Sequence, residues 1–146
     1  MVALKPFEDV IASGGDPTQM LANLRVERSQ RWVRAYAGAV AVADSKEVLA
    51  VTTGLPVYYF PERDIRADLL EASDKTEMHP ILGERSFYNL RVGDRVVEKV
   101  GWRLVSPAQE TAMLEGHVAF YWNRLDHWYE EDDEVYVHPR DTRHRV

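Results

Sequence analysis

The sequence of 146 residues contains no cysteine. The absence of thiols excludes disulfide bonds, a thiolate nucleophile and every zinc site that is built from cysteine. The five histidines do not compensate, because none of them stands at a ligand-like spacing from another histidine or from an acidic residue. We therefore expect no bound metal and no cofactor.

The chain also lacks an excess of basic residues and any long apolar run. Its net charge is −6 and its pI is about 5.4, so binding to nucleic acid through phosphate contacts is not expected. No apolar run approaches the roughly 18 residues that a membrane-spanning helix needs, so no membrane partner is expected. The first ten residues lack the basic and apolar regions of a secretory signal, which predicts a cytoplasmic protein.

What the chain does contain is enough residues for one domain, preceded by a short appendage. The breaker at Ser13–Pro17 starts a short helix that we expect to run from Pro17 to about Arg25. Met20, Leu21 and Leu24 share the apolar face of that helix. The sequence thus predicts an N-terminal helical extension over residues 1–30 and a single β domain over residues 31–146.

From Trp32 onward the apolar residues follow a period of two, which is typical of strands. Gly93-Asp94 suits a two-residue turn, and such a turn pairs Val92 with Arg95 and Leu90 with Val97. Continued along the ladder, this register puts one set of residues on each face: Phe87, Asn89, Glu98, Val100 and Trp102 on one, and Tyr88, Leu90, Val97 and Lys99 on the other. We expect a mainly β fold of two small antiparallel sheets with short helical turns, one of them at Pro61–Asp64.

Three parts of the chain resemble the bacterial and fungal family called domain of unknown function 427. They are GLPVYYFPERDIRADLL (54–70), the hairpin that starts at Gly83–Tyr88 and returns to Trp102, and GHVAFYW…WYEEDDEVYVHPRD (116–141). The resemblance covers roughly Arg31 to Val146 and one copy of the domain, where larger members carry two. It implies a β-tent fold, in which two small sheets lean together, similar to methionine sulfoxide reductase B and the ligand-binding domain of cereblon.

The chain departs from these relatives in two ways. It has no cysteine pairs to hold zinc, and it has His79-Pro80 near the position where many family members carry Cys-Pro. Both departures count against redox or zinc chemistry. The family is sometimes labelled a nucleotidyltransferase, but the β domain has neither the Gly-Ser or Gly-Gly before a helix nor the spaced carboxylates that hold Mg²⁺ against phosphates.

Four aromatic residues on separate strands are candidates for a ligand-binding groove: Tyr58, Tyr88, Trp102 and Tyr121. Trp and Tyr combine a large apolar area with a polar tip, which suits a pocket wall. The alternative is that these rings simply fill the core of a small domain. Two further residues are candidate acid–base groups. Glu98 is predicted to face Asn89 beside Trp102, and His117 begins a strand that leads to Tyr121.

The C-terminal His138-Pro139-Arg140-Asp141 follows an acidic stretch. Pro139 keeps His138 extended and would present Arg140 at a defined position. We expect Arg140 to act as a structural clamp on a nearby carboxylate, with anion binding by His138 and Arg140 as the alternative. The acidic run Glu130–Glu134 lacks the spacing of a calcium loop, so we expect a solvated face or loop.

Three functions fit these observations. The first is a module that binds a small molecule or a peptide end in an aromatic groove. The second is a cofactor-free hydrolase or transferase, although the chain has no cysteine nucleophile and no Gly-x-Ser-x-Gly elbow. The third is an interaction protein whose N-terminal helix completes a homodimer or docks elsewhere.

Overall fold

In a computed structural model, residues 24–52 and 55–139 are described, and these residues form two antiparallel β-sheets. The strands are β1 (Arg25–Arg28), β2 (Val33–Ala37), β3 (Val40–Ser45), β4 (Leu49–Thr52), β5 (Pro56–Pro61), β6 (Leu70–His79), β7 (Gly83–Val92), β8 (Arg95–Leu104), β9 (His117–Phe120), β10 (His127–Glu130) and β11 (Asp133–Val135). Short 3₁₀ turns occupy Glu62–Asp64, Ala67–Leu69, Gln109–Leu114 and Trp122–Arg124. No helix within these two ranges is long and apolar enough to span a membrane.

The two sheets differ in size. The large sheet has seven strands in the order β1-β4-β5-β9-β8-β7-β6, and the small sheet has four in the order β11-β10-β2-β3. The mainly β fold with two antiparallel sheets and short helical turns is therefore confirmed, but only one of the sheets is small. A seven-stranded sheet offers two broad faces, and only one of them packs against the small sheet.

The start of the domain differs from the expected boundary. The predicted helix lies almost wholly outside the described residues, and its expected end, Arg25, is the first residue of β1. This strand pairs with β4 from Arg25 opposite Thr52 to Arg28 opposite Leu49. Part of the segment assigned to the extension thus belongs to the large sheet.

Two apolar clusters lie on opposite faces of the large sheet. The inter-sheet core combines side chains of both sheets and includes Val33, Val42, Tyr58, Phe60, Leu90, Val118, Phe120 and Trp128. The second cluster, here called the outer-face core, includes Leu49, Tyr59, Leu82, Phe87, Trp102, Leu104, Leu114 and Ala119. Since burial of each large apolar side chain contributes about 1.5–3 kcal/mol, both clusters stabilise the fold substantially.

The register of the large sheet explains this division. Leu49, Tyr59, Ala119, Trp102 and Phe87 stand opposite one another in turn, so they form one row across five strands. Their neighbours along each strand point to the other face. The 3₁₀ turn Gln109–Leu114 contributes Leu114 to the outer-face core, so this connection lies on the outer face.

The hairpin of β7 and β8 confirms the predicted pairs Leu90–Val97 and Val92–Arg95, but the ladder then shifts. Between the pairs Leu90–Val97 and Tyr88–Gly101, β7 has one residue, Asn89, and β8 has three, Glu98 to Val100. The next pair is Phe87–Trp102. No ladder pair joins Asn89 to Glu98, and the Asn89 side chain bonds to the backbone of Lys99 instead, so the prediction that Glu98 faces Asn89 is wrong. The shared face predicted for Val100 and Trp102 is wrong as well, since Val100 belongs to the inter-sheet core and Trp102 to the outer-face core. A β-bulge re-aims the side chains around it, and the alternation in the sequence does not reveal it.

Candidate functional site

Four aromatic rings meet on the outer face of the large sheet: Tyr59, Phe87, Trp102 and Tyr121, here called the aromatic cluster. The rings of Trp102 and Tyr121 are 4.8 Å apart, and those of Phe87 and Tyr121 stack at 6.4 Å with an interplanar angle of 12°. The indole N–H of Trp102 donates to the hydroxyl oxygen of Tyr59 at 3.0 Å. Ala119 stands between these two residues in the row, and its small side chain leaves room for this contact. The packing fixes the orientation of each ring.

Two cationic side chains lie over the faces of these rings. The guanidinium carbon of Arg85 is 5.3 Å from the centre of the Phe87 ring and 5.2 Å from that of Trp102. The ammonium group of Lys99 is 4.5 Å from the centre of the Phe87 ring. Each distance is short enough for a cation–π attraction of about 0.5–2 kcal/mol. The aromatic cluster is thus bordered by positive charge.

Glu77 links the two cations. Its Oε1 accepts from Arg85 Nη2 at 2.9 Å, and its Oε2 accepts from Lys99 Nζ at 2.7 Å. Glu77 lies on the edge strand β6 with its side chain 42% exposed, whereas the side chain of Arg85 is only 3% exposed. A buried guanidinium therefore has a carboxylate partner that itself reaches solvent.

The backbone of Lys99 adopts a left-handed conformation with φ +53°. A residue other than glycine pays roughly 1–2 kcal/mol for this conformation. The side chain of Asn89 holds it in place, because Asn89 Oδ1 accepts from the backbone N–H of Lys99 at 2.9 Å. Strained residues at a bulge are frequent at binding sites, and here the bulge directs Lys99 towards Phe87 and Glu77.

Tyr59 is a neutral phenol under all physiological conditions. Burial raises its pKa to about 12, because the interior disfavours the phenolate. The nearby positive charge of Arg85 and the hydrogen bond from Trp102 oppose this shift but do not overcome it. The aromatic cluster therefore contributes hydroxyl groups and ring surfaces, and its charge comes from Arg85, Lys99 and Glu77.

A sequence model of the family described as domain of unknown function 427 (DUF427) matches residues 25–131. The chain belongs to this family. The match begins at the first residue of β1 and ends just after β10, so every residue of the aromatic cluster and its charged border falls inside it. No curated protein matches the chain.

In this DUF427 domain, the four aromatic residues that the sequence suggested for a groove lie on two different faces of the large sheet. Trp102 and Tyr121 are in contact on the outer face. Tyr58 is buried in the inter-sheet core, and the half-buried Tyr88 packs against that same core. The strand period places Tyr59, the neighbour of Tyr58, beside Trp102 instead. Sequence reasoning placed Phe87 on the same face as Trp102 but did not include it in the groove, and it missed Tyr59. The register identifies both residues, since Tyr59 and Trp102 stand opposite Ala119 and Phe87 stands opposite Trp102.

The acidic run of the DUF427 domain is not a solvated face throughout. Glu130 has 0% exposure, and its Oε2 accepts from the hydroxyl of Tyr58 at 2.8 Å. Arg31 forms an ion pair with Glu130 Oε1 at 3.3 Å. Burial, and next the negative charge of Glu130, raise the pKa of Tyr58 well above its ordinary value. The expectation of a solvated run is wrong for Glu130, because this residue joins β10 of the small sheet to β5 of the large one.

The two candidate acid–base residues differ in exposure. Glu98 is exposed, and its backbone carbonyl accepts from Arg124 Nη1 at 3.0 Å. His117 is half-buried, with Nδ1 at 3.0 Å from the carbonyl oxygen of Glu115. Both contacts involve the backbone.

Of the two C-terminal candidates, the structure describes His138. His138 is half-buried, and its Nδ1 is 2.6 Å from the carbonyl oxygen of Pro139. Arg140 lies outside the described residues, so its role as a clamp stays a prediction.

His79 is buried, and its imidazole ring holds a turn. Its Nδ1 accepts from the backbone N–H groups of Ile81 at 3.2 Å and of Leu82 at 3.1 Å. Over residues 24–52 and 55–139, no group of three histidine, aspartate or glutamate side chains could hold a metal ion.

Proposed function

We propose that this DUF427 domain is a module that binds a small molecule or a peptide end, with the accessible side of the aromatic cluster as its binding surface. The observation that supports the proposal is the contact between Trp102 and Tyr121 next to two cations, Arg85 and Lys99, at a strained bulge. Aromatic rings beside placed charges are a common composition of ligand sites.

The buried and accessible members of the site have different roles in this proposal. Trp102 is only 6% exposed and Phe87 is buried, so they support the site from beneath. A ligand reaches the half-buried ring of Tyr121 and the side chain of Lys99, which is 33% exposed. Because the rings are already fixed by packing, little conformational entropy is lost on binding.

The alternative functions have less support. An acid–base role needs a reactive group in a protected site, but Glu98 is exposed and His117 is only half-buried. The homodimer stays a hypothesis from the sequence. Binding is therefore the function that the geometry favours.

The test is a fragment screen by NMR on the ¹⁵N-labelled protein. The indole N–H of Trp102 reports on the site, because it is bonded to Tyr59 and lies under Tyr121. Fragments that shift this signal should bind at least about tenfold more weakly to Tyr121→Ala. Tyr36→Ala is the matched control, since Tyr36 is also half-buried but packs edge-to-face on Tyr129 of the small sheet. A screen in which no fragment shifts the Trp102 signal, or in which both variants behave alike, would contradict the proposal.

A further inference from the structure

Three charged side chains meet beside the aromatic cluster. Arg85 and Lys99 are two cations, and Glu77 is the carboxylate that contacts both. Each oxygen of Glu77 serves one cation, so the carboxylate occupies the position where an anion meets Arg85 and Lys99 at once.

The position of Glu77 allows its side chain to move away from Arg85 and Lys99 into solvent. It belongs to β6, which is one of the two edge strands of the large sheet, and its side chain is 42% exposed. Arg85, by contrast, is buried against Phe87 and Trp102 and cannot follow it into solvent. A buried guanidinium is costly without a carboxylate partner. Exchange of Glu77 for another anion avoids that cost, because the incoming group supplies the same two hydrogen bonds.

An incoming anion that carries an apolar group also meets ring surface. A flat apolar group attached to the anion reaches the ring of Tyr121, which stacks on Phe87 and contacts Trp102. Since aromatic contacts add to the burial of apolar area, such a molecule competes with an internal carboxylate.

We propose that the ligand of this site is an organic carboxylate with a flat apolar body, and that its carboxylate displaces Glu77 from Arg85 and Lys99. This inference rests on the proposed binding function and names the class of its ligand. Glu77 is then an internal competitor, which keeps the two cations paired while the site is empty. A free carboxylic acid and the C-terminus of a peptide share the required chemistry.

Four probes separate charge from shape and free acid from peptide end. They are 3-phenylpropionate, its neutral amide, N-acetylphenylalanine as a peptide C-terminus, and N-acetylphenylalanine amide. Binding is followed by the Trp102 indole signal. Both acids are expected to bind at least about tenfold more tightly than their amides, because only a carboxylate pairs with both cations. The tighter of the two acids indicates the source of the ligand.

Three variants test the competition. Glu77→Gln should strengthen binding of the acids about tenfold, because the competing charge is gone, and Lys99→Gln should weaken it about tenfold. Glu71→Gln is the matched control and should leave the affinity unchanged. It lies on the same strand and is also an exposed glutamate, paired with Arg91 at 3.5 Å. The unfolding midpoint of each variant is measured alongside, and if Glu77→Gln does not fold, Lys99→Gln and the comparison of acids with amides decide.

Amides that bind as tightly as the acids, or a Glu77→Gln variant that folds and binds the acids no more tightly, would overturn the carboxylate inference and leave the binding function intact. The same holds if neutral fragments shift the Trp102 signal and neither acid does. If nothing shifts that signal, both the inference and the proposed function fail.

Discussion

Glu130 shows what a single side chain does in the interior of this domain. The carboxylate has no exposure, accepts a hydrogen bond from Tyr58 and pairs with Arg31 in the segment between β1 and β2. A carboxylate buried in this way is stable only with such partners, and the loss of one partner leaves its charge poorly compensated. The contact therefore specifies how the two sheets face each other.

Tyr58→Phe removes the hydroxyl that donates to Glu130 and keeps the ring. We expect the free energy of unfolding to fall by about 2 kcal/mol, because hydrogen bonds to buried charged groups contribute about 1.5–3 kcal/mol. Urea unfolding at neutral pH measures the change. Tyr88→Phe is the control, since the half-buried Tyr88 packs against the same core. Equal stabilities of the two variants would show that Glu130 does not depend on Tyr58.

Lys99 permits a second test at the residue scale, because its backbone is left-handed. In an ordinary strand, alanine is more stable than glycine by roughly 0.5–1 kcal/mol. At φ +53° the order reverses, and we expect Lys99→Gly to be about 1 kcal/mol more stable than Lys99→Ala. Both variants lack the ammonium group, so the difference reports the backbone alone. Thermal or urea unfolding of the pair measures it, and the opposite order would mean that the bulge is not left-handed in solution.

At the scale of elements, Asp126 connects three parts of the fold. It precedes β10, accepts from the backbone N–H of Gly38 in the turn between β2 and β3, and pairs with Arg95 at the start of β8 through two hydrogen bonds of 2.6 and 3.0 Å. Arg95, and next the N–H of Gly38, lower the pKa of Asp126 to about 2. The carboxylate of Asp126 thus connects the small sheet to the tip of the β7–β8 hairpin.

Because of these contacts of Asp126, a small part of the free energy of unfolding depends on pH. A carboxylate whose pKa is lowered by folding stabilises the protein above its unfolded value of about 3.9, and the contribution is lost as the pH falls towards 2. The side chains of Arg95 and Asp126 are 46% and 33% exposed, so we expect Asp126→Asn to cost at most about 1 kcal/mol at pH 7. The difference from the wild type should vanish between roughly pH 5 and pH 2, as measured by urea unfolding across that range. In the double variant with Arg95→Gln, a cost equal to the sum of the two single costs would show that the pair is not coupled.

The strands and turns also show how much of the fold can be predicted from the sequence. The turn at Gly93-Asp94 is predictable, because its residues suit one turn type and so set the pairs beside it. Strand β10 escapes prediction because its inward residues are Trp128 and Glu130, and a buried glutamate looks like a solvated one. The contact of Trp102 with Tyr121 is consistent with strand periodicity, but the bulge at Lys99 and the position of Tyr58 depend on packing that no local pattern encodes.

For the molecule as a whole, the first strand decides how much of the N-terminus the domain needs. Deletion of residues 1–26 removes half of β1, together with the contacts of Leu24 and Val26 with the outer-face core. The other strands of the large sheet keep their ladders, since β4 also pairs with β5. We expect the shortened protein to unfold cooperatively and to be less stable by about 2 kcal/mol, which is the scale for apolar groups of this size.

Deletion of residues 1–23 is the matched comparison, because it leaves β1 whole. Thermal unfolding, followed by circular dichroism and by tryptophan fluorescence, measures both proteins against the full chain. If the 1–26 deletion loses its cooperative transition, β1 is indispensable to the large sheet and the domain cannot begin after it. If both deletions unfold at the same midpoint, the pairing of β1 with β4 contributes nothing to stability. Only an intermediate loss that appears on removal of residues 24–26 agrees with a strand that extends a core already able to fold.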